Sequence, residues 1–219
     1  MPKQLLTFFL VCTAMLGFSP LVQAELTANV GVTTNYVFRG ATQTDDNAAV
    51  QGGVDYTHEL GIYAGVWGSN VEDAAGNDGF EYDLYAGYEF KASEEVKFDI
   101  GYITYQYTDD AFTDTDEIFI GASFFDFGIT YYDGEPDSGS DYSYIDLKFT
   151  LPLAQEFNLH LHYGNLDSDT GDAEDASIGV SKEFKGFDTS LTWTTYDPDN
   201  GSDEDELFIT VTKIFDLMK

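Results

Sequence analysis

Apolar and polar residues alternate along most of the chain. Residues 80–90 show it most plainly: Phe80, Tyr82, Leu84, Ala86, Tyr88 and Phe90 fall on every second position, with Glu81, Asp83, Gly87 and Glu89 between them. A period of two puts successive side chains on opposite faces of a strand, so this segment predicts a strand with one apolar and one polar face. The same alternation marks eleven other segments. Leu26, Ala28, Val30, Val32, Tyr36 and Phe38 share one face of the first strand. Val50, Val54 and Tyr56 mark the second, and Ile62, Ala64 and Val66 the third. Residues 80–90 form the fourth. Val96 to Tyr102, Ile118 to Phe124, Phe127 to Tyr131, Ile145 to Leu151, Phe157 to Tyr163, Ala176 to Phe184, Phe187 to Trp193 and Leu207 to Phe215 complete twelve. Beyond residue 24 no segment sustains the 3.6-residue period of an amphipathic helix.

The connections alternate in length. Long ones are predicted near 40–48, 72–79, 108–116, 133–141, 165–175 and 197–205, and short ones near 57–61, 91–95, 125–127, 152–155 and 184–187. An even strand number, a strict long–short rhythm and strands of about ten residues match a transmembrane antiparallel up-and-down β-barrel with its termini on the periplasmic side. A soluble β-sandwich has period-two strands as well, but nothing in it requires alternating connections.

Residues 1–24 read as a signal peptide. Lys3 supplies a positive start, Leu5 to Phe18 are mostly apolar, and Val22-Gln23-Ala24 is a small-x-small cleavage site. Residues 25–219 are then the barrel, without a cysteine, because the only one is Cys12.

Composition sharpens this picture. The 219 residues hold 40 Asp+Glu against 9 Lys+Arg, a formal charge of -31. Nucleic-acid binding needs a basic face, which this chain lacks. An aromatic content of 16% is too high for a disordered acidic chain. The acids are also polarised. Residues 40–48, 72–79, 108–117, 133–141, 165–175 and 197–206 together hold 25 acids and no Lys or Arg. Lys91, Lys97, Lys148, Lys182, Lys185, Lys213 and Lys219 sit at or near the opposite pole, and Arg39 is the exception. Poles this different suit a molecule facing two environments.

With the apolar face toward lipid, the alternate face lines a lumen. The expected pore-lining residues are Asn35, Arg39, Gln51, Asp55, Asp83, Asp99, Tyr105, Tyr107 and Glu117, with Glu81, Glu89, Lys97, Asp146, Lys148, His160 and His162 on the same face. A twelve-strand barrel lies between those filled by side chains and those filled by water, so a narrow passage for small solutes is expected. Arg39, the only Arg, is expected near the outer end of the first strand, either as a constriction charge or in a structural ion pair with inward acids such as Asp55 or Asp83. Tyr63, Trp67, Tyr85, Tyr105, Tyr107, Phe119 and Tyr144 also point inward, as a stacking track for flat solutes, as packing, or as interfacial girdle residues.

The acidic connections have three readings: a solvated surface, a funnel that concentrates cations, or divalent-ion binding that bridges to lipopolysaccharide phosphates. Asp197, Asp199, Asp203 and Asp205 have oxygen-rich spacing suited to Ca²⁺, although a Gly stands where the third ligand of the helix-loop-helix calcium pattern belongs. His160 and His162 share a strand face but would need a carboxylate to complete a zinc site. No serine lies in a nucleophile motif, so no enzymatic activity and no cofactor is expected.

Three blocks carry a family resemblance: Thr34-Asn35-Tyr36-Val37-Phe38-Arg39-Gly40-Ala41-Thr42-Gln43-Thr44, Val50-Gln51-Gly52-Gly53-Val54-Asp55-Tyr56, and Gly61-Ile62-Tyr63-Ala64-Gly65-Val66-Trp67-Gly68-Ser69-Asn70-Val71. Glu81 to Tyr88 and Leu191-Thr192-Trp193 fit later blocks. The chain resembles the TorF-type porins, also called the Gcw-chp conserved proteobacterial proteins. The resemblance implies an outer-membrane barrel of porin type and supplies neither a solute nor catalytic residues. The expected function is passive diffusion of small hydrophilic, preferentially cationic solutes. The alternative is a non-conducting structural or adhesive barrel that binds divalent cations and lipopolysaccharide through its acidic outer loops.

Overall fold

The computed structural model describes residues 24–218. The signal-peptide expectation concerns residues outside that range, apart from Ala24. The strands are β1 (Glu25–Thr33), β2 (Val37–Phe38), β3 (Ala41–Thr42), β4 (Ala49–Thr57), β5 (Ile62–Glu72), β6 (Asp78–Lys91), β7 (Val96–Tyr107), β8 (Thr115–Phe124), β9 (Phe127–Pro136), β10 (Tyr142–Pro152), β11 (Phe157–Ser168), β12 (Ala173–Phe184), β13 (Phe187–Pro198) and β14 (Glu204–Asp216). Each strand of the set from β4 to β14 pairs antiparallel with the next, and β1 joins both β4 and β14. Twelve strands thus close into one barrel with no free edge, and β2 and β3 form a separate two-stranded hairpin.

Which face is greasy decides where the barrel lives. Ile120, Val32 and Leu191 on the outside are 59%, 52% and 49% exposed, whereas Glu117 and Asp83 on the inside are each 1% exposed. A water-soluble barrel would invert that pattern. An apolar outer belt on a closed sheet, with every ladder hydrogen bond made between strands, is the solution for spanning hydrocarbon with β-structure. The protein is an outer-membrane barrel.

Aromatic residues border the belt. Tyr82, Tyr102, Tyr131, Tyr163 and Trp193 stand on the outer face toward the acidic end, and Phe90, Phe124, Phe127, Phe157, Phe184 and Phe187 toward the other. At that second end three lysines lie over phenylalanine rings: Lys182 on Phe157 at 4.8 Å, Lys185 on Phe184 at 5.1 Å and Lys213 on Phe187 at 5.0 Å. Their ammonium groups face the rings, and those of Lys182 and Lys213 also donate to the Gln155 and Gly186 carbonyls.

Two features depart from the sequence expectation. The first strand stops at Thr33, so Tyr36 and Phe38 do not continue its lipid-facing row. The chain instead turns inward, and Tyr36 packs edge-on against the Trp67 ring at 5.4 Å inside the barrel. Alternation alone could not separate the two outcomes, because an inward hairpin is also period two. Most of the acidic connections are also shorter than expected. β9 runs to Pro136, β11 to Ser168 and β13 to Pro198, so many acids ride on strand ends above the membrane. The one long connection, residues 34–48, is the one that folds into the lumen.

Candidate pore and its inward hairpin

The inward segment starts from Asn35. Its side-chain amide donates to Asp46 Oδ1 at 2.9 Å and to Glu206 Oε2 of β14 at 3.1 Å, and its carbonyl accepts from Thr42 Oγ1 at 2.7 Å. Asn35 therefore ties the loop to itself and to the wall, and it lies in the loop rather than on strand one. Thr44, fully buried, donates to the Asn47 carbonyl at 2.6 Å and accepts from the Tyr36 amide at 3.0 Å. The Glu72 amide donates to the Gln43 carbonyl at 2.9 Å, pinning the return arm to β5.

At the hairpin tip, Phe38 pairs with Ala41, and Arg39 and Gly40 form the two-residue turn with φ of 48° and 81°. Two successive positive φ values define a type I′ turn, whose twist suits a tight hairpin. Gly40 is required there for a second reason. A Cβ on it would lie 2.7 Å from the Asp175 Cβ and 3.0 Å from both the Thr195 carbonyl and the Tyr196 Cβ. The tip is thus pressed onto β12 and β13.

From this tip Arg39 reaches the wall made by β8, β9 and β10. It is at the end of a hairpin, not on strand one as expected, and its ion-pair partner is neither Asp55 nor Asp83. Arg39 Nη1 lies 2.7 Å from Glu117 Oε1, and the Glu117 side chain is wholly buried. Glu117 also accepts from Tyr142 at 2.6 Å and from Tyr105 at 2.8 Å. The guanidinium carbon stands 4.1 Å from the Tyr144 ring centre, 4.9 Å from Tyr132, 5.6 Å from Tyr142 and 4.8 Å from its neighbour Phe38. The cation is held by one carboxylate and four aromatic faces, which together replace the water it gave up.

A second network adjoins the first. His162 Nδ1 faces Asp146 Oδ1 at 3.1 Å and its Nε2 faces Asp175 Oδ1 at 2.6 Å. Tyr144 donates to Asp175 Oδ2 at 2.8 Å, and Lys148 lies 2.5 Å from Asp146 Oδ2. Three adjacent strands, β10 to β12, are stitched together by this set. His160, two residues away, meets Thr150 and Ser181 instead. The two histidines do not converge, because each fills its own cross-strand gap, and the zinc arrangement does not form.

The remaining expected pore residues face the interior of the barrel. Gln51 lies 3.5 Å from Ser69 Oγ. Tyr85 donates to Asp55, Tyr63 to Asp99 at 2.9 Å, and Tyr107 to Glu81 at 3.0 Å. Asp83 is buried beside them. Several of these tyrosines lie across glycines of the neighbouring strand. Tyr85 pairs with Gly65 and Tyr63 with Gly87, and a Cβ on either glycine would enter the ring. Missing side chains on one strand thus let the ring of the next lie flat along the wall. Tyr132, Tyr142, Asp175 and Glu206 were absent from the sequence-level set. Their position on the inward face was readable, but their partners come from remote strands.

The four candidate calcium ligands lie where β13 turns into β14. Asp197, Asp199, Asp203 and Asp205 are all exposed. Asp197 pairs with Glu174 and Asp205 with Thr195 on the outer face, while Asp199 and Asp203 lie in the turn between. Among the described residues no three His, Cys, Asp or Glu side chains gather around a metal-sized site.

Solved structures share this architecture. A KdgM porin superposes with a TM-score of 0.61 at 6% identity, covering 86% of this chain and 99% of that one. The COG4313 outer membrane channel from Pseudomonas putida F1 gives 0.61 at 10% identity, covering 89% and 97%. A KdgM porin in complex with disordered oligogalacturonate gives 0.54 at 7% identity, covering 87% and 99%. At such identities the likeness concerns the fold. Among curated protein sequences none matches. A sequence profile does match, over residues 19–215, and by that measure the chain belongs to the Gcw_chp family, described as bacterial protein of unknown function.

Proposed function

We propose that this barrel is a narrow diffusion channel for small hydrophilic solutes with a preference for cations. The observation that carries the reading is how the lumen carboxylates are satisfied. Asp55, Glu81 and Asp99 take hydrogen bonds from tyrosine hydroxyls, which neutralise nothing. Arg39, Lys91, Lys97 and Lys148 bring fixed positive charge to the inward face, Lys91 and Lys97 both beside Glu89, and His162 lies between Asp146 and Asp175. The lumen therefore keeps an excess of negative charge, and the acidic strand ends at its outer mouth add to the same field. The KdgM porin named above was solved with oligogalacturonate, a polyanion. The charge of this lumen favours solutes of the opposite sign.

One observation favours the non-conducting alternative. Glu117, Glu81, Asp83 and Tyr144 are each no more than 2% exposed, so the hairpin fills the outer part of the lumen tightly. Both readings are separated by conductance of the refolded barrel in a planar bilayer under a salt gradient. Discrete current steps with a cation-selective reversal potential support the channel. A folded barrel that stays silent overturns it and leaves a structural or adhesive role.

A further inference from the structure

Three of the four aromatic faces around Arg39, those of Tyr132, Tyr142 and Tyr144, belong to the barrel wall, and the fourth, Phe38, belongs to the hairpin. Tyr142 is fixed by its hydroxyl on Glu117, and Tyr144 by its hydroxyl on Asp175. Tyr132 packs at a tilt against Phe119, ring centres 5.5 Å apart, and against Tyr144 at 6.1 Å. Glu117 keeps Tyr105 as a donor whether or not a guanidinium is present. Adjacent strands β8, β9 and β10 thus carry a cavity for a flat cation, held in shape by contacts within the wall. Its present occupant hangs from a hairpin of two residue pairs that shares no strand ladder with the barrel.

We propose that the pocket of Glu117, Tyr132, Tyr142 and Tyr144 is a binding site for guanidinium-bearing solutes, and that Arg39 is a tethered occupant which such a solute displaces. The chemistry selects this class. A guanidinium is planar, weakly hydrated and able to stack on aromatic faces while donating sideways to a carboxylate. A compact ammonium ion is strongly hydrated and fits this slot less well. Displacement frees the hairpin tip from β8–β10, so the bound solute and the widened passage are linked. Competition against a tethered group is costly, since tethering gives Arg39 an effective concentration in the millimolar range. The pocket is therefore weakly available in the unaltered protein and fully available without Arg39. The consequence for transport rests on the channel reading; the binding does not.

The test uses the full barrel refolded in detergent, its folding verified by a boiling-dependent gel shift. R39A is titrated with ethylguanidinium while tyrosine fluorescence is followed. Saturable binding at least about tenfold tighter than in the unaltered barrel, and lost in R39A/E117Q, is expected. An R39A barrel that shows no saturation, or binding that survives E117Q, overturns the proposal. The unaltered barrel supplies a second reading that needs no variant. If the barrel conducts, ethylguanidinium on the outer side should raise the potassium current where ethylammonium at equal concentration does not, and equal responses of a conducting barrel overturn the proposed displacement. Binding by R39A in a barrel that never conducts keeps the site and removes the channel. Conductance without binding removes the site and keeps the channel.

Discussion

Arg39 and Glu117 meet at 2.7 Å although one lies on a hairpin leaving β1 and the other on β8, near the far side of the barrel. This pair couples the inward segment to the opposite wall, and it sets the first prediction. Removing Arg39 leaves a buried carboxylate with hydroxyl donors but no counter-charge, at a cost of about 3 kcal/mol. R39A should therefore lose more stability than R39A/E117Q in urea unfolding of the refolded barrel. R39K should recover only part of the loss, because an ammonium cannot stack on Tyr144 as a guanidinium does. Equal stability of R39A and R39A/E117Q would show that the pair is not coupled.

Gly40 offers a way to move the hairpin without touching its charge. G40A places a methyl group against Asp175, Thr195 and Tyr196 and adds a side chain to a left-handed residue, together about 1–3 kcal/mol of strain. The tip should back away from β12 and β13. The expected result is a larger single-channel current with unchanged ion preference; an unchanged current would mean that the hairpin tip does not limit passage.

Tyr144 serves two networks, and Y144F separates them. The ring under Arg39 remains, while the bond to Asp175 is lost and leaves that carboxylate to His162. The expected cost is about 1–2 kcal/mol. In the R39A background Y144F should leave ethylguanidinium affinity nearly intact, whereas Tyr144→Leu should reduce it.

Ion preference should follow the lumen acids below the hairpin. D55N/D99N keeps the tyrosine donors Tyr85 and Tyr63 satisfied while removing two charges. Cation preference, read as reversal potential, should fall. Neutralising the acids of 197–206 should lower it as well, most at low salt, because exposed charges are screened within roughly 10 Å at 0.1 M. A reversal potential indifferent to both changes would sink the electrostatic account.

The membrane face has its own test. Ile120 sits on the exposed row of β8 within the apolar belt. I120R should cost about 2–4 kcal/mol of stability in lipid if the residue lies at mid-depth. The same change at Asp116, four residues up the same face, should cost little.

The strand number, the faces of each strand and the positions of the tight turns were legible in the sequence, because a period of two is local. Val30, Ile120 and Leu191 carry that information whatever their partners are. Gln51, Asp55, Asp99 and Glu117 could likewise be put on the inward face by counting. The path of residues 34–48 could not, since Tyr36 and Phe38 fit an extended lipid-facing strand as well as an inward hairpin. Arg39-Gly40 lacks the Asn-Gly signature that marks such a turn. What bends the chain inward is non-local: Glu206 accepting from Asn35, β12 and β13 receiving Gly40, and three tyrosines and Glu117 on β8–β10 receiving Arg39. Alternation determined that this protein is a membrane barrel with an acidic interior. Only the closed tertiary structure decided that its longest connection fills its own lumen, because strands far apart in sequence supply the contacts that offset the cost of bringing a lone arginine inside.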